Sequence, residues 1–173
     1  MRTQILFVLI SAASCASSPS RTPASEVRTG TIGMTTPTSV SNVNTTVAYS
    51  VDRVWRVLPG AYSSLGIPIQ MLDPKAHQVG NEGFKTRRVL GTTPLSRYID
   101  CGLTQIGPNA DSYDVVLTIL SQLQSAPNGG TTIVTTVESS ARPATYSQEY
   151  SRCSSKGVLE ARLTDSLVAR LDK

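Results

Sequence analysis

Two stretches of alternating apolar and polar residues, joined by a turn, constrain the fold of this chain most. In the first stretch the apolar residues share one parity: Tyr113, Val115, Leu117, Ile119 and Leu123. The turn is Pro127-Asn128-Gly129-Gly130, whose residue types favour tight turns. In the second stretch Ile133, Thr135 and Val137 share one parity and are β-branched. A period of two indicates a strand with one buried face, so the sequence predicts a long β-hairpin.

Near the C-terminus, apolar residues recur every three or four positions: Leu159, Leu163, Leu167, Val168 and Leu171. This spacing predicts an amphipathic helix that begins at Gly157 or Ser155 and carries Glu160 in its first turn. Its apolar stripe has to dock on an apolar surface, and one face of the predicted sheet provides it.

The same helical spacing occurs earlier in the chain: Val51, Val54, Trp55, Leu58, Tyr62 and Leu65. Ser50 suits the N-cap of this predicted helix, and Gly66 suits its C-terminal cap. Pro59 falls inside the stretch, where a proline removes one hydrogen bond at a cost of about 3 kcal/mol. The sequence therefore predicts either a kink or two short helices.

Short strands are predicted between and beside the helices, at residues 46–49, 67–71, 78–81 and 84–89, with a short strand or loop at 146–152. An interruption is expected near Gly83, and a short helix is one interpretation of residues 95–102. This order of elements predicts an α+β fold, in which an N-terminal and a C-terminal helix pack on one face of an antiparallel β-sheet.

The first fourteen residues have the layout of a secretory signal peptide. Arg2 supplies a positive charge, residues 5–10 are an unbroken apolar run, and residues 11–14 are small. The apolar run is shorter than the roughly 20 residues that a membrane-spanning helix needs. The sequence therefore predicts an exported protein whose residues 1–14 are removed.

The small residues that lead into Cys15 resemble the lipobox of bacterial lipoproteins. This resemblance implies that Cys15 carries a lipid that includes palmitate, and that this lipid attaches the protein to a membrane. Ala16 follows the cysteine where aspartate is the usual retention signal of enteric bacteria, which implies the outer membrane and the periplasm. The alternative is signal-peptidase cleavage after Ala16, guided by Ser14 and Ala16, which would discard Cys15 and release a soluble protein.

Residues 15–44 are rich in serine, threonine and proline, and contain few large apolar residues. Such a segment cannot bury enough surface to offset the entropy lost on ordering, so it is interpreted as a flexible tether. A coil of about 28 residues has a root-mean-square span of roughly 30 Å. The predicted organisation is therefore a signal peptide at 1–14, a lipidated tether at 15–44 and a single domain at 45–173.

Three cysteines leave an odd one in an exported chain. If Cys15 takes the lipid, Cys101 and Cys153 remain to form a disulfide in an oxidising compartment. The alternative is that these two are unpaired, buried thiols.

The basic excess is small. The chain has 16 basic and 12 acidic residues, and loss of Arg2 with the signal peptide leaves 15 against 12, or +3. These charges are scattered along the sequence without the basic stripe expected of a nucleic-acid binder. The sequence therefore predicts no nucleic-acid partner.

No catalytic constellation is predicted. His77 is the chain's single histidine and has no acid spaced to orient it, so it is interpreted as a loop residue. Ser154 or Ser155 with Lys156 is a conceivable nucleophile and base, but serine at a predicted helix start is also a good cap. We expect no enzyme activity, no cofactor and no metal site, and no binding residue can be assigned from the sequence.

The element order over residues 45–173, together with the predicted anchor, resembles the helix-grip domains of the BamC (Lipoprotein-34) family of outer-membrane assembly lipoproteins. This resemblance implies a non-catalytic accessory or structural subunit of an envelope complex that works by binding other proteins. The alternative function is a periplasmic or secreted domain that binds a small molecule or lipid. The stretch from Cys153 to Glu160, Cys-Ser-Ser-Lys-Gly-x-Leu-Glu, is set apart by its composition but indicates no specific activity.

Overall fold

A computed structural model describes residues 41–173. The predicted signal peptide, the predicted lipidation site Cys15 and residues 15–40 of the predicted tether lie outside the described residues. The helices are α1 (Val51–Ser64) and α2 (Val158–Leu171). The strands are β1 (Ser41–Val47), β2 (Met71–Asp73), β3 (Gln78–Arg87), β4 (Val89–Leu90), β5 (Thr93–Pro94), β6 (Ile99–Asp100), β7 (Leu103–Thr104), β8 (Gly107–Pro108), β9 (Asp114–Ser125), β10 (Thr131–Arg142) and β11 (Ser151–Ser155).

Seven of these strands form one antiparallel sheet: six in the order β2-β3-β9-β10-β11-β6, and β1, which also pairs with β10. β1 pairs with the first part of β10, from Thr131 to Val137, and β11 pairs with its last part, from Ser139 to Ala141. β1 and β11 therefore follow one another along the same edge of β10. The strand pairs β4–β5 and β7–β8 are small separate hairpins.

The predicted long hairpin is confirmed and forms the centre of the sheet. β9 and β10 pair over twelve residues each, from Asp114 opposite Arg142 to Ser125 opposite Thr131. The apolar residues of one parity, from Val115 to Leu123, are buried together with Ile133 and Val137. We call this buried side the inner face of the sheet and the opposite side its outer face.

Both helices pack on the inner face, and the predicted fold class is confirmed. In α2, the four leucines at 159, 163, 167 and 171 are all buried. α1 and α2 lie side by side: Ser64 Oγ is 2.7 Å from Ser166 Oγ, and Arg53 donates to the Leu171 carbonyl oxygen.

α1 continues through Pro59 as one helix, so the alternative of two short helices is wrong. Leu58 lies immediately before the proline, and Ala61 and Tyr62 lie just after it, all at zero exposure. Burial of these side chains on both sides offsets the hydrogen bond that the proline removes.

Several predicted strand boundaries differ from the structure, most of all those of the first two strands. β1 begins at Ser41, inside the predicted tether, because the alternating pattern of Val43, Thr45 and Val47 pairs in register with β10. The strand predicted at 67–71 exists only from Met71 onward. Upstream of it, the Pro68 carbonyl accepts a hydrogen bond from the Asn81 side chain, and a proline has no N–H to give to a ladder.

The predicted interruption of β3 is confirmed as a bulge. Its register against β9 shifts between Asn81 and Phe84, and Gly83 lies within this shift at φ 154°. Residues 95–102 contain a single 3₁₀ turn at Leu95–Arg97 followed by β6, so only the first part of this ambiguous segment is helical.

A chain of buried hydroxyl groups ties α1 to the sheet. The Tyr62 hydroxyl lies 2.9 Å from Ser121 Oγ and 3.2 Å from the Val79 carbonyl oxygen, and Ser121 Oγ lies 3.1 Å from Thr135 Oγ1. Burial raises the pKa of Tyr62 because the interior disfavours the phenolate, and the hydrogen bond with Ser121 lowers it by less.

This raised pKa predicts a loss of stability at high pH. Protonated Tyr62 contributes fully below the pKa of an unfolded tyrosine, about 10. As pH rises above that value toward the folded-state pKa, the unfolded chain loses the proton first and the contribution is lost. Between pH 8 and pH 11, the free energy of unfolding in urea should therefore fall less in Tyr62→Phe than in the wild type. The exposed control Tyr146→Phe should keep the wild-type drop, and an undiminished drop in Tyr62→Phe would contradict the account.

Candidate functional site

A disulfide joins the residue that directly follows the short strand β6 to β11, at one end of the sheet. Cys101 and Cys153, 52 residues apart in sequence, form the predicted bond, with their Cα atoms 4.4 Å apart. Beside it, β6 and β11 pair through only two residues each, Ile99 with Ser155 and Asp100 with Ser154. The covalent bond therefore holds together two strands that share little backbone pairing. A structural disulfide is typical of an oxidising, exported compartment, which is where this chain belongs.

Directly after Cys101 the chain forms the β7–β8 hairpin, residues 103–108, which we call the stapled hairpin. Hydrogen bonds close its base: the Asn109 N–H donates to the Gly102 carbonyl at 3.0 Å, and the Asn109 side-chain amide donates to the Cys101 carbonyl at 3.0 Å. The Gly102 N–H donates to Asp100 Oδ1 at 2.8 Å. The hairpin is thus fixed at its base by the disulfide and by three hydrogen bonds.

The stapled hairpin presents two aliphatic side chains to solvent. Leu103 is 77% exposed and Ile106 is 89% exposed. These are the two highest exposures among the large exposed hydrophobic residues of the region that the structure describes. Full burial of either side chain would stabilise the chain by about 1.5–3 kcal/mol, a gain that the fold forgoes at this hairpin. Two exposed aliphatics on an anchored loop are therefore a candidate contact surface for another molecule.

On the outer face of the sheet, the fold gathers basic side chains from several strands. In one row, Arg87 and Arg142 flank Asp114 from the two neighbouring strands. In the next row Lys85, Val116, Ser140 and Arg152 lie across β3, β9, β10 and β11. We call the four cations of these rows, Lys85, Arg87, Arg142 and Arg152, the basic rows.

The basic rows border a groove of about 350 Å³ whose lining includes Lys85, Arg87, Asp114 and Arg142. The Arg142 guanidinium lies over the ring of Tyr150, 4.8 Å from its centroid, which fixes its position by a cation–π contact. Arg87 Nε lies 3.8 Å from Asp114 Oδ1, and both side chains are more than one-third exposed. One carboxylate faces two guanidinium groups in this row, so Asp114 neutralises the row only in part.

A polar cavity of about 200 Å³ lies beside the disulfide. Cys101 and Asn109 from the hairpin base line it on one side, and Gln148 and Arg152 line it on another. Within the described part of the chain, the buried Asn109 Oδ1 has no hydrogen-bond partner. Arg152 is the residue of the basic rows that also lines this cavity, so the cavity borders both the hairpin base and the β11 end of the basic rows.

Ser155 and Lys156, two of the three residues considered for catalysis, are engaged in other contacts. Ser155 Oγ donates to Glu160 Oε1 at 2.7 Å and accepts from the Gly157 N–H at 3.1 Å. Lys156 Nζ donates to the Ser96 carbonyl oxygen at 2.7 Å. The stretch from Cys153 to Glu160 thus builds the junction between β11 and α2, with the fully buried Glu160 carboxyl in the first turn of the helix.

His77 and Trp55 meet at the surface in an edge-to-face contact, with ring centroids 5.7 Å apart. Over residues 41–173, no group of three or more histidine, cysteine, aspartate or glutamate side chains is arranged to hold a metal ion. Neither helix of that region is both long and apolar enough to cross a membrane.

Sequence reasoning missed both parts of this site. The stapled hairpin has only two residues per strand, too few for a period-two pattern, and its signal is the Gly107-Pro108 turn chemistry after Leu103 and Ile106. For the basic rows, the pairing of Asp114 with Arg142 follows from extending the predicted hairpin outward from its turn. The positions of Lys85 and Arg152 require the registers of β3 and β11, which no local pattern specifies.

No protein-family model matches this chain. Among curated proteins, none matches its sequence.

Proposed function

We propose that this chain is a lipid-anchored protein of the cell envelope whose domain binds a protein partner without catalysing a reaction. In this proposal Cys15 carries the lipid, residues 15–40 belong to the tether, and the domain faces the periplasm from the outer membrane. The partner belongs to a membrane-associated complex, in which this chain is an accessory or structural subunit.

The stapled hairpin is the observation that carries the proposal. Binding costs the entropy of ordering the groups that meet, so a loop already fixed at its base loses less on association. Leu103 and Ile106 offer apolar area that a protein partner can bury, and central buried anchors contribute most of the energy of such interfaces. A rigid loop with two exposed aliphatic residues fits the role of such an anchor.

The alternative, an enclosed site for a small molecule or lipid, has less support from the packing. Between the inner face and the helices, the large side chains of Leu58, Tyr62 and Leu167 are buried against the sheet. The grooves described above lie instead at the disulfide end and on the outer face. We therefore place the interaction at the surface.

Replacing both hairpin aliphatics tests this function. In Leu103→Ser/Ile106→Ser, the amount of partner that copurifies after mild detergent extraction and crosslinking should fall at least about tenfold, since each lost aliphatic anchor contributes on the order of 1.4 kcal/mol or more. The free energy of unfolding should change by less than about 0.5 kcal/mol, because both side chains are exposed.

Leu72→Ser is the matched control, because Leu72 is 54% exposed on β2, the edge strand at the far end of the sheet. It should leave copurification unchanged. Finding the extracted wild-type protein alone, or finding the same partner yield in the hairpin variant, would rule out this function for the hairpin.

A further inference from the structure

We propose that the basic rows form a binding site for an acidic segment of the partner protein, a run of side-chain carboxylates laid across the outer face. This inference rests on the proposed function and adds the chemistry of the partner to it.

Charge is the first argument. The basic rows hold four cations and one carboxylate, Asp114, a formal excess of three positive charges. That excess equals the net charge of the whole chain after loss of Arg2, although the same residues are scattered in sequence. The fold therefore brings together, at one end of the outer face, cations that are far apart in the sequence.

The spread of the cations indicates an extended ligand. Lys85 and Arg152 lie in the same row on β3 and β11, which are separated by β9 and β10. At about 4.8 Å between neighbouring strands, three steps place their backbones roughly 14 Å apart. A single small anion cannot reach cations at that separation, whereas several carboxylates along a peptide can.

The shape of the site favours a peptide over a flat membrane surface. Val116, partly buried, lies in the middle of the row between Lys85 and Ser140 and lines a second depression of about 140 Å³ with Arg152. Side chains of a peptide can enter these depressions, while a plane of headgroups meets only their rims. Glu138, one row further along β10, also lines this second depression. Its carboxylate repels other carboxylates, so the side chain that enters there is uncharged and the acidic segment ends at this point.

Part of the site is organised in advance. Tyr150 holds the Arg142 guanidinium over its ring, so this arginine loses less freedom when it binds a carboxylate. A planar guanidinium offers paired N–H donors that match the two oxygens of a carboxylate. Arg142 is therefore the cation whose removal should weaken binding most.

The test uses the full mature chain with Cys15→Ser, so that no lipid contributes, and a fluorescein-labelled octaglutamate peptide as the probe. Fluorescence anisotropy at low salt should show saturable binding that weakens as sodium chloride is added. Arg142→Gln/Arg152→Gln should weaken it about tenfold or more, as expected for the loss of charged hydrogen bonds. The exposed Lys85→Glu variant should weaken it as well, which keeps the test valid if the double variant is unstable.

Arg56→Gln/Arg170→Gln is the matched control, since it removes two exposed arginines of α1 and α2 and changes net charge equally. It should change binding less than about twofold. Equal weakening by both double variants would reduce the effect to overall charge and overturn the inference, as would an absence of octaglutamate binding.

Vesicles of phosphatidylcholine with phosphatidylglycerol provide the competing arm. Vesicle binding that depends on Arg142 and Arg152, without octaglutamate binding, would assign the face to a membrane and overturn the inference. Partner capture that depends on Leu103 and Ile106, without octaglutamate binding, would overturn the inference and leave the proposed function standing. Octaglutamate binding without any partner capture would overturn the proposed function, and with it the assignment of the acidic segment to a partner protein.

Discussion

Replacing both Cys101 and Cys153 by serine should lower the free energy of unfolding by about 4 kcal/mol. The bond closes a loop of 52 residues, and loop-closure entropy of the unfolded chain gives this magnitude. Because β6 pairs with β11 through two residues only, little backbone pairing remains to replace the bond. Chemical denaturation of the double variant, built on a Cys15→Ser background, measures the effect.

The control is the Cys15→Ser variant alone, which carries one cysteine-to-serine substitution but keeps the disulfide. It should unfold at the same denaturant concentration as the wild type, and adding a reductant should bring it to the stability of the triple variant. A loss below about 1 kcal/mol in the triple variant would show that the disulfide does not stabilise this end of the sheet.

Leu167→Ala should cost about 2–5 kcal/mol, the range for truncating a buried leucine. Leu167 is 1% exposed at the centre of the α2 stripe that packs on the inner face, so truncation leaves a cavity between helix and sheet. Equilibrium unfolding in urea measures the loss.

The same substitution at Leu103 is the matched control. Leu103 is 77% exposed, so Leu103→Ala should change stability by less than about 0.5 kcal/mol. A large cost at Leu103 would mean that this side chain has a structural role and is not held ready for a partner. Similar small costs at both positions would contradict the packing of α2.

The elements that sequence predicted well are those whose signal is local and repeated. The β9–β10 hairpin repeats its period of two over twelve residues per strand, and α2 repeats its leucines over four turns. In both, burial of one face explains the pattern, so local spacing and tertiary packing agree. The bulge in β3 was also predictable from a local signal, because Gly83 interrupts an otherwise regular strand pattern.

The elements that sequence missed depend on long-range pairing. Residues 41–44 belong to β1 because they pair in register with β10, where Val43 continues the alternation of Thr45 and Val47. The polar sequence Ser-Asn-Val-Asn alone does not indicate a strand. β6 has two residues and is fixed by its pairing with β11 next to the disulfide. Short strands of this kind have too few residues for a pattern and take their structure from their neighbours.

The candidate site shows the same division. The cysteine pair followed from counting cysteines, since one of three was assigned to the lipid. The basic rows did not follow from the charge pattern, because Lys85, Asp114, Arg142 and Arg152 lie on four different strands. Their grouping is a consequence of sheet register, and the absence of a basic run in sequence therefore does not exclude a basic surface.

The most direct test of the central claim, that the stapled hairpin contacts a protein partner, is site-specific photo-crosslinking in intact cells. A photoreactive residue is placed at Ile106 in one strain and at Leu72 in another. The account predicts one discrete crosslinked species of higher mass from position 106, lost when Leu103 is replaced by serine, and none of that mass from position 72. No adduct at 106, or the same adduct from both positions, would contradict it.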